Sequence, residues 1–96
     1  MDLLVLVTTK DARSILIPLG QACGRKKISW AAFFTNDGVK NLQDDGVVKA
    51  IESGERTIVC QESWGHHLPG VDCPVELGSQ TNNSALIAAA KHIVSL

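Results

Sequence analysis

Short runs of continuously apolar residues, separated by longer segments with helical spacing, constrain the fold of this chain most. Strands that are apolar on both faces are typical of parallel sheets covered by helices on two sides. The pattern predicts five strands, of which the fourth along the chain is short. The runs are Leu3–Val7 and residues 28–34, 57–60 and 92–96, with the short strand expected at residues 74–77.

The segment between the first two strands has apolar residues at helical spacing over residues 11–23. We expect this helix to end at Gly24, since glycine is favoured just after a helix. Pro18 lies within the pattern and lacks the N–H that an interior helical turn needs. The helix is therefore predicted to begin near Leu16 or to kink at the proline.

Two further segments are predicted to be helical. Residues 39–51 indicate two short helices or one broken helix, with Asp44 or Asp45 as the N-cap of the second. Residues 82–91 predict a final helix before the last strand. Three of its side chains are expected to face the sheet: Leu86, Ile87 and Ala90.

The alternation of strands and helices favours right-handed crossovers and a mainly parallel sheet. We therefore predict an α/β fold, a three-layer α/β/α sandwich with about five strands. A chain of 96 residues is long enough to bury one core and forms a single domain, residues 1–96.

Parallel sheets of this kind bind ligands at the carboxyl ends of their strands. Polar residues gather after the first, second and third predicted strands. The sequence predicts a functional site there, with Cys60 as the candidate catalytic residue. The other candidate residues lining this site are Thr9, Lys10, Asn36, Asp37, Gly38, Gln61, Ser63, Trp64 and His66.

Charge and hydropathy exclude two classes of partner. The net charge is −1 and the nine Lys and Arg residues are scattered, so no nucleic-acid partner is expected. The apolar runs are far shorter than the ~20 residues that span a bilayer, so no membrane association is expected. The N-terminus has neither the basic segment nor the cleavage site of a secretion signal, which predicts a cytoplasmic protein.

The three cysteines differ in their expected roles. Cys23 lies on the apolar side of a helix, where free cysteine packs as a small hydrophobe. Cys60 ends a strand and is either a reactive thiol or a buried one. Cys73 is expected to be a loop thiol, with a redox pair to Cys60 as an alternative.

Two histidines lie between Cys60 and Cys73, in the array C-x₅-H-H-x₅-C. These residue types are ligands for zinc or copper. The spacing lacks the close cysteine pairs of zinc sites, and adjacent histidines point in different directions in an extended segment. We therefore expect no bound metal and no cofactor, and take His66 and His67 as loop residues facing solvent.

Three segments, taken in order along nearly the whole chain, suggest a family: a proline-bearing first helix that runs into residues 28–42, then residues 50–63, then a late helix followed by residues 92–96. The most specific parts are FFTNDGV, residues 33–39, and a glycine followed by a short strand, a cysteine and a nearby serine, which are Gly54, Ile58, Val59, Cys60 and Ser63. In their order and spacing these resemble the DsrE/DsrF-like proteins, which include the TusD-type sulfur-relay subunits and the YchN-like proteins. The resemblance implies a three-layer α/β/α fold, homotrimers or homohexamers, and a persulfide carried on Cys60 between sulfur-donor and sulfur-acceptor proteins.

Three functions follow from these observations. The first is a small sulfur carrier that accepts and donates persulfide sulfur on Cys60, a sulfurtransferase-like activity. The second is a non-catalytic module of the same fold that binds a ligand or partner and needs no thiol. The third is a thiol- or metal-responsive protein that uses Cys60 together with Cys73 and the pair His66/His67.

Overall fold

The computed structural model describes all residues, Met1–Leu96, and contains one five-stranded parallel sheet. Each of the four neighbouring strand pairs is parallel. The strands are β1 (Leu3–Val7), β2 (Trp30–Phe34), β3 (Arg56–Cys60), β4 (Glu76–Gly78) and β5 (His92–Ser95), in the order β4-β3-β2-β1-β5. This confirms the predicted α/β class, and the sheet is parallel throughout.

Helices cover both faces of the sheet and complete the predicted α/β/α sandwich. They are α1 (Arg13–Lys26), a 3₁₀ helix (Asn36–Gln43), α2 (Asp45–Ile51), α3 (Gln61–His67) and α4 (Gln80–Ala89). The first four contribute to a core of 15 buried residues on one face. On the other face α4 contributes Leu86 to a core of six buried residues. None of the helices has the length and apolarity needed to cross a membrane.

The central strand β2 is buried along its whole length, since all five of its residues are inaccessible to solvent. Its side chains alternate between the two cores. Ala32 and Phe34 pack on the side of α1, whereas Ala31 and Phe33 pack on the side of α4. Burial on both faces explains why this strand reads as a continuous apolar run.

The first helix is longer than the sequence indicated. It begins at Arg13, contains Pro18, and ends at Lys26. Of the two alternatives for Pro18, the start near Leu16 is therefore wrong and the helix runs through the proline, and the expected end at Gly24 is also wrong. Lys27 adopts the left-handed conformation that ends the helix, with φ of 54°, and its N–H donates to the carbonyl of Cys23. Gly24 instead lies inside α1 beside Ser53, where a Cβ would be 3.4 Å from the Cβ of Ser53.

The second helical segment is broken in two, as predicted. Asp44 separates the 3₁₀ helix from α2 and acts as the N-cap of α2. Its Oδ1 accepts hydrogen bonds from the N–H groups of Gly46 at 2.8 Å and Val47 at 3.4 Å. The other carboxylate oxygen pairs with Arg13 at the start of α1, so one side chain caps α2 and joins it to α1.

The last helix differs from its prediction at both ends and on one side. It begins at Gln80, with Ser79 as its N-cap in a capping box with Asn82, and ends at Ala89 with Ala90 as its C-cap. Leu86 is buried against the sheet as expected, but Ile87 is 40% exposed, so the prediction that it faces the sheet is wrong. A helix with apolar and small residues on all sides gives no periodicity from which to choose its buried side.

Close packing of α1 against α2 generates a stability prediction. A Cβ on Gly20 would lie 2.5 Å from the carbonyl oxygen of Ala50, which is backbone and cannot easily move. We expect Gly20→Ala to lower the free energy of unfolding by about 1–3 kcal/mol through overpacking. Urea denaturation followed by circular dichroism measures this change.

The matched control is Gly24→Ala on the same helix. Its Cβ would make an ordinary contact with Ser53, and alanine is favoured over glycine in a helix by about 1 kcal/mol. We expect this variant to be as stable as the original chain or more stable. Equal destabilisation by both substitutions would contradict the close approach of the two helices at Gly20.

Candidate functional site

A polar cleft of about 820 Å³ opens where the carboxyl ends of β2, β3 and β4 meet. These three strands are neighbours in the sheet, so the turns that follow them lie side by side. The cleft is lined by Thr35 and Asn36 after β2, Cys60, Gln61, Glu62, Ser63 and Gly65 at β3–α3, and Gly78, Ser79, Gln80 and Thr81 at β4–α4. Glu62 is its one charged side chain.

Cys60 lies at the junction of β3 and α3, where it is the last residue of the strand and the N-cap of the helix. Its side chain belongs to the smaller core, on the side of the sheet that α4 covers. The residue is 7% exposed and lines the cleft. The thiol is therefore recessed below a polar opening, at the sheet edge where the sequence predicts the site.

Ser63, in the first turn of α3, joins this helix to the turn after β2. Its Oγ accepts a hydrogen bond from the N–H of Asn36 at 2.9 Å and lies 3.3 Å from the Oγ1 of Thr35. Asn36 has a positive φ of 51°, which asparagine tolerates better than most residues. Together these contacts place two hydroxyl groups on the cleft wall beside the thiol.

The surroundings of Cys60 act on its pKa in opposite directions. Burial raises the pKa because it disfavours the charged thiolate, and this is the largest single effect. Hydrogen bonding from the side chain and N–H of Ser63 and from the Thr35 hydroxyl lowers it, as does the N–H of Glu62. These donors lower the pKa because a hydrogen bond donated to the sulfur stabilises the charged thiolate more than the neutral thiol. Their combined effect exceeds that of burial, and the pKa lies below its ordinary value.

The other two thiols have the opposite tendency. Cys23 is 3% exposed in the larger core, and burial raises its pKa. Burial also raises the pKa of Cys73, which packs against that same core. Cys60 belongs to the core on the other face of the sheet, so the sheet separates it from Cys73. All three cysteines are free thiols, and this placement opposes the alternative of a redox pair.

The histidines lie in the last turn of α3 and not in a loop, which corrects that expectation. Six residues of helix at 1.5 Å rise put His66 about 9 Å along the axis from Cys60. His67 is directed to Asp37, with its Nδ1 3.5 Å from Oδ1, and the His66 ring meets the His67 ring edge-on. No group of three or more His, Cys, Asp or Glu residues is placed to hold a metal ion.

Of the residues predicted to line the site, the fold brings Asn36, Gln61 and Ser63 into the cleft with Cys60. Gly38 and Trp64 lie elsewhere. A Cβ on Gly38 would be 2.1 Å from the carbonyl oxygen of Val7, so this glycine permits close packing of the 3₁₀ helix on β1. The Trp64 side chain is buried in the larger core, and its Nε1 donates to the Val71 carbonyl at 2.7 Å.

The remaining four predicted residues are also outside the cleft. Thr9 and Lys10 follow β1, which is separated from β3 by β2, and are exposed. Asp37 turns away to Lys40 and His67. His66 lies at the far end of α3. Strand order explains Thr9 and Lys10, because the site forms at β2–β3–β4 and the first strand does not reach it. Asp37 and His66 follow strands of the site, but neither lines the cleft.

The cleft also contains residues outside the predicted set. They are Thr35, Glu62, Gly65, Gly78, Ser79, Gln80 and Thr81. Thr35 and Glu62 adjoin predicted residues in the sequence. One feature of the sequence could have indicated that the turn after β4 belongs to the site: the polar residues GSQT follow an expected strand. That strand, however, has only three residues. Its pairing with β3, which aligns Gly78 with Cys60, is what brings this turn to the site.

Compared with known proteins, the chain matches no protein-family model and no curated protein.

The thiol environments generate a prediction about reactivity. We expect iodoacetamide to alkylate Cys60 fastest, Cys73 more slowly and Cys23 slowest, because only the Cys60 pKa is lowered and Cys23 is the most buried. A lowered pKa keeps the reactive thiolate populated at about pH 7, where an ordinary thiol with pKa near 8.5 is mostly protonated. Peptide-resolved mass spectrometry across a pH series measures the three rates. A Cys60 rate no faster than that of Cys23 would contradict the prediction.

Proposed function

We propose that this protein is a sulfur carrier that accepts and donates persulfide sulfur on Cys60. The observation that carries the proposal is the recessed Cys60 thiol, which has a lowered pKa and lies at the base of a polar cleft. Neither Cys23 nor Cys73 has a lowered pKa, and neither lines this cleft. The resemblance to DsrE/DsrF-like proteins at residues 33–39 and 54–63 supports the same residue.

The chemistry needs only this thiolate and a donor persulfide, R–S–SH. The Cys60 sulfur attacks the outer sulfur of the donor, and a new S–S bond forms as the S–S bond of the donor breaks. The electron pair leaves with the inner donor sulfur as R–S⁻. An acceptor thiolate then attacks the outer sulfur on Cys60 in the same way and regenerates the Cys60 thiolate, so the cycle requires no oxidant or reductant.

The cleft suits such an exchange. Its volume of about 820 Å³ far exceeds one sulfur atom, which leaves room for the group that carries the sulfur in and out. Hydroxyl and amide groups line it, and they offer hydrogen bonds to a passing persulfide. We propose sulfur-donor and sulfur-acceptor proteins as the partners, in the cytoplasm, where persulfide exchange is compatible with a reducing environment.

We also propose that the chain assembles into homotrimers or homohexamers. Residues 80–90, which include all of α4, contain no charged side chain although much of that helix is exposed. Ile87 is 40% exposed and Ile93 on the edge strand β5 is 47% exposed. An exposed uncharged helix beside an apolar edge is typical of a surface that another subunit covers.

The persulfide proposal predicts a specific adduct. After exposure to a persulfide donor and removal of the excess, mass spectrometry of the intact protein should detect one added sulfur atom per chain. Cys60→Ser should abolish this adduct, whereas the controls Cys73→Ser and Cys23→Ser should retain it. An adduct that survives Cys60→Ser would overturn the carrier function and leave the cleft as a binding site without thiol chemistry.

The assembly proposal predicts a trimer or a hexamer by light scattering after size exclusion. Ile87→Lys should reduce the assembly to smaller species, because it places a charge on the uncharged face of α4. Ile15→Lys is the matched control, since Ile15 is 51% exposed on α1 on the other side of the sheet. A monomer at tens of micromolar chain, about the range of weak interfaces, would contradict this proposal.

A further inference from the structure

The hydroxyl groups of Ser63 and Thr35 form a pair that connects two of the turns around the cleft. The two oxygens are 3.3 Å apart, and residues 35 and 63 belong to the turn after β2 and the first turn of α3. Both residues are partly buried. The pair therefore lies within the wall of the cleft and not at its mouth, beside the recessed Cys60.

The contacts of Ser63 restrict where its single proton can go. The Asn36 N–H already donates to the Ser63 oxygen at 2.9 Å, so this hydroxyl is an acceptor on that side. Its own proton can be donated to the Thr35 oxygen at 3.3 Å or to the thiolate of Cys60, which lines the same cleft. A negative sulfur is the stronger acceptor of the two, because hydrogen bonds to ionised groups are about twice as strong as neutral ones.

The hydrogen bonding of the Thr35 hydroxyl depends on which acceptor the Ser63 proton takes. When Ser63 donates to the sulfur, its oxygen has a lone pair free to accept from Thr35, or Thr35 can donate to the sulfur directly. In both arrangements the Thr35 hydroxyl keeps its position only while Ser63 holds the turn after β2 against α3. Asn36, in its left-handed conformation, supplies the N–H that fixes this contact.

We propose that Ser63 is a positioning residue for Cys60: by accepting from Asn36 and pairing with Thr35, it holds both hydroxyl donors on the wall of the cleft that Cys60 lines, where they can donate to its thiolate. The inference deepens the sulfur-carrier proposal, on which its functional meaning rests. It assigns the two hydroxyls to one coupled unit, so that loss of Ser63 also removes the contribution of Thr35.

The test is the pH profile of Cys60 alkylation by iodoacetamide in single and double variants. We expect Ser63→Ala to raise the midpoint by about one pH unit, a tenfold change in the thiolate fraction at a given pH. Thr35→Val keeps the side-chain shape and should raise the midpoint by less. The double variant should raise it no more than Ser63→Ala alone, and Ser63→Thr, which keeps a hydroxyl, should restore most of the original midpoint.

Controls separate positioning from a general loosening of the fold. Ser14→Ala removes an exposed hydroxyl from α1 and should leave the profile unchanged. Cys23 is the internal reporter of folding, since its alkylation should stay slow in every folded variant. If Ser63→Ala does not fold, Thr35→Val and Ser63→Thr still report on the pair. In that case a Thr35→Val midpoint equal to that of the original chain would overturn the proposal.

Two further outcomes would also overturn it. The first is an unchanged midpoint in Ser63→Ala with a faster rate at high pH, which means that Ser63 only shields the thiol. The second is an additive shift in the double variant, which means that the two hydroxyls act independently. Failure of the carrier function has a different signature, because Cys60 then forms no sulfur adduct whatever the midpoint of its alkylation.

Discussion

The buried side-chain amide of Asn41 fixes the carboxyl edge of the sheet, and the cleft depends on that edge. Asn41 is the single buried polar residue, at 3% exposure. Its Oδ1 accepts from the Ala12 N–H at 3.1 Å, and its Nδ2 donates to the carbonyls of Thr9 at 2.7 Å and Gly38 at 2.9 Å. These bonds tie the turn after β1 and the start of α1 to the 3₁₀ helix, and a buried amide left without them would be costly.

The arrangement of the cleft follows from this anchor and from the strand order. Because the 3₁₀ helix is fixed against β1, the turn after β2 is held where Asn36 reaches Ser63 on α3. The first-strand turn is used for this support and does not contribute to the cleft. The opposite side is formed by the turn after β4, which the pairing of Gly78 with Cys60 brings into place. The third strand, β3, ends at Cys60. It thus lies between β2, whose following turn is supported by the 3₁₀ helix, and the open edge strand β4.

The strands and the position of Cys60 at the end of β3 could be predicted from the sequence because local patterns determine them. A strand buried on both faces, such as β2, must be apolar throughout, and Cys60 had to lie at the edge where parallel strands end. Other features depend on tertiary contacts that no local pattern reports. Gly24 resembles a helix stop but lies inside α1, and α3 has one buried residue, Trp64, too few for a helical periodicity. The residues of the turn after β4 enter the site only through the pairing of a three-residue strand.

The depth of Cys60 bears on how a carrier of sulfur would work. A thiol that is 7% exposed meets few reactants by chance, and its burial opposes ionisation. The hydroxyl and N–H donors around it offset this effect, so the pKa of Cys60 lies below its ordinary value although the sulfur is shielded. In the proposed carrier, an S–S bond of about 2.05 Å would separate the transferable sulfur from the Cys60 Sγ. The resting thiol would then be recessed, while a terminal sulfur directed to the cleft that Cys60 lines would lie farther from the core. The loaded form would therefore be the more accessible of the two.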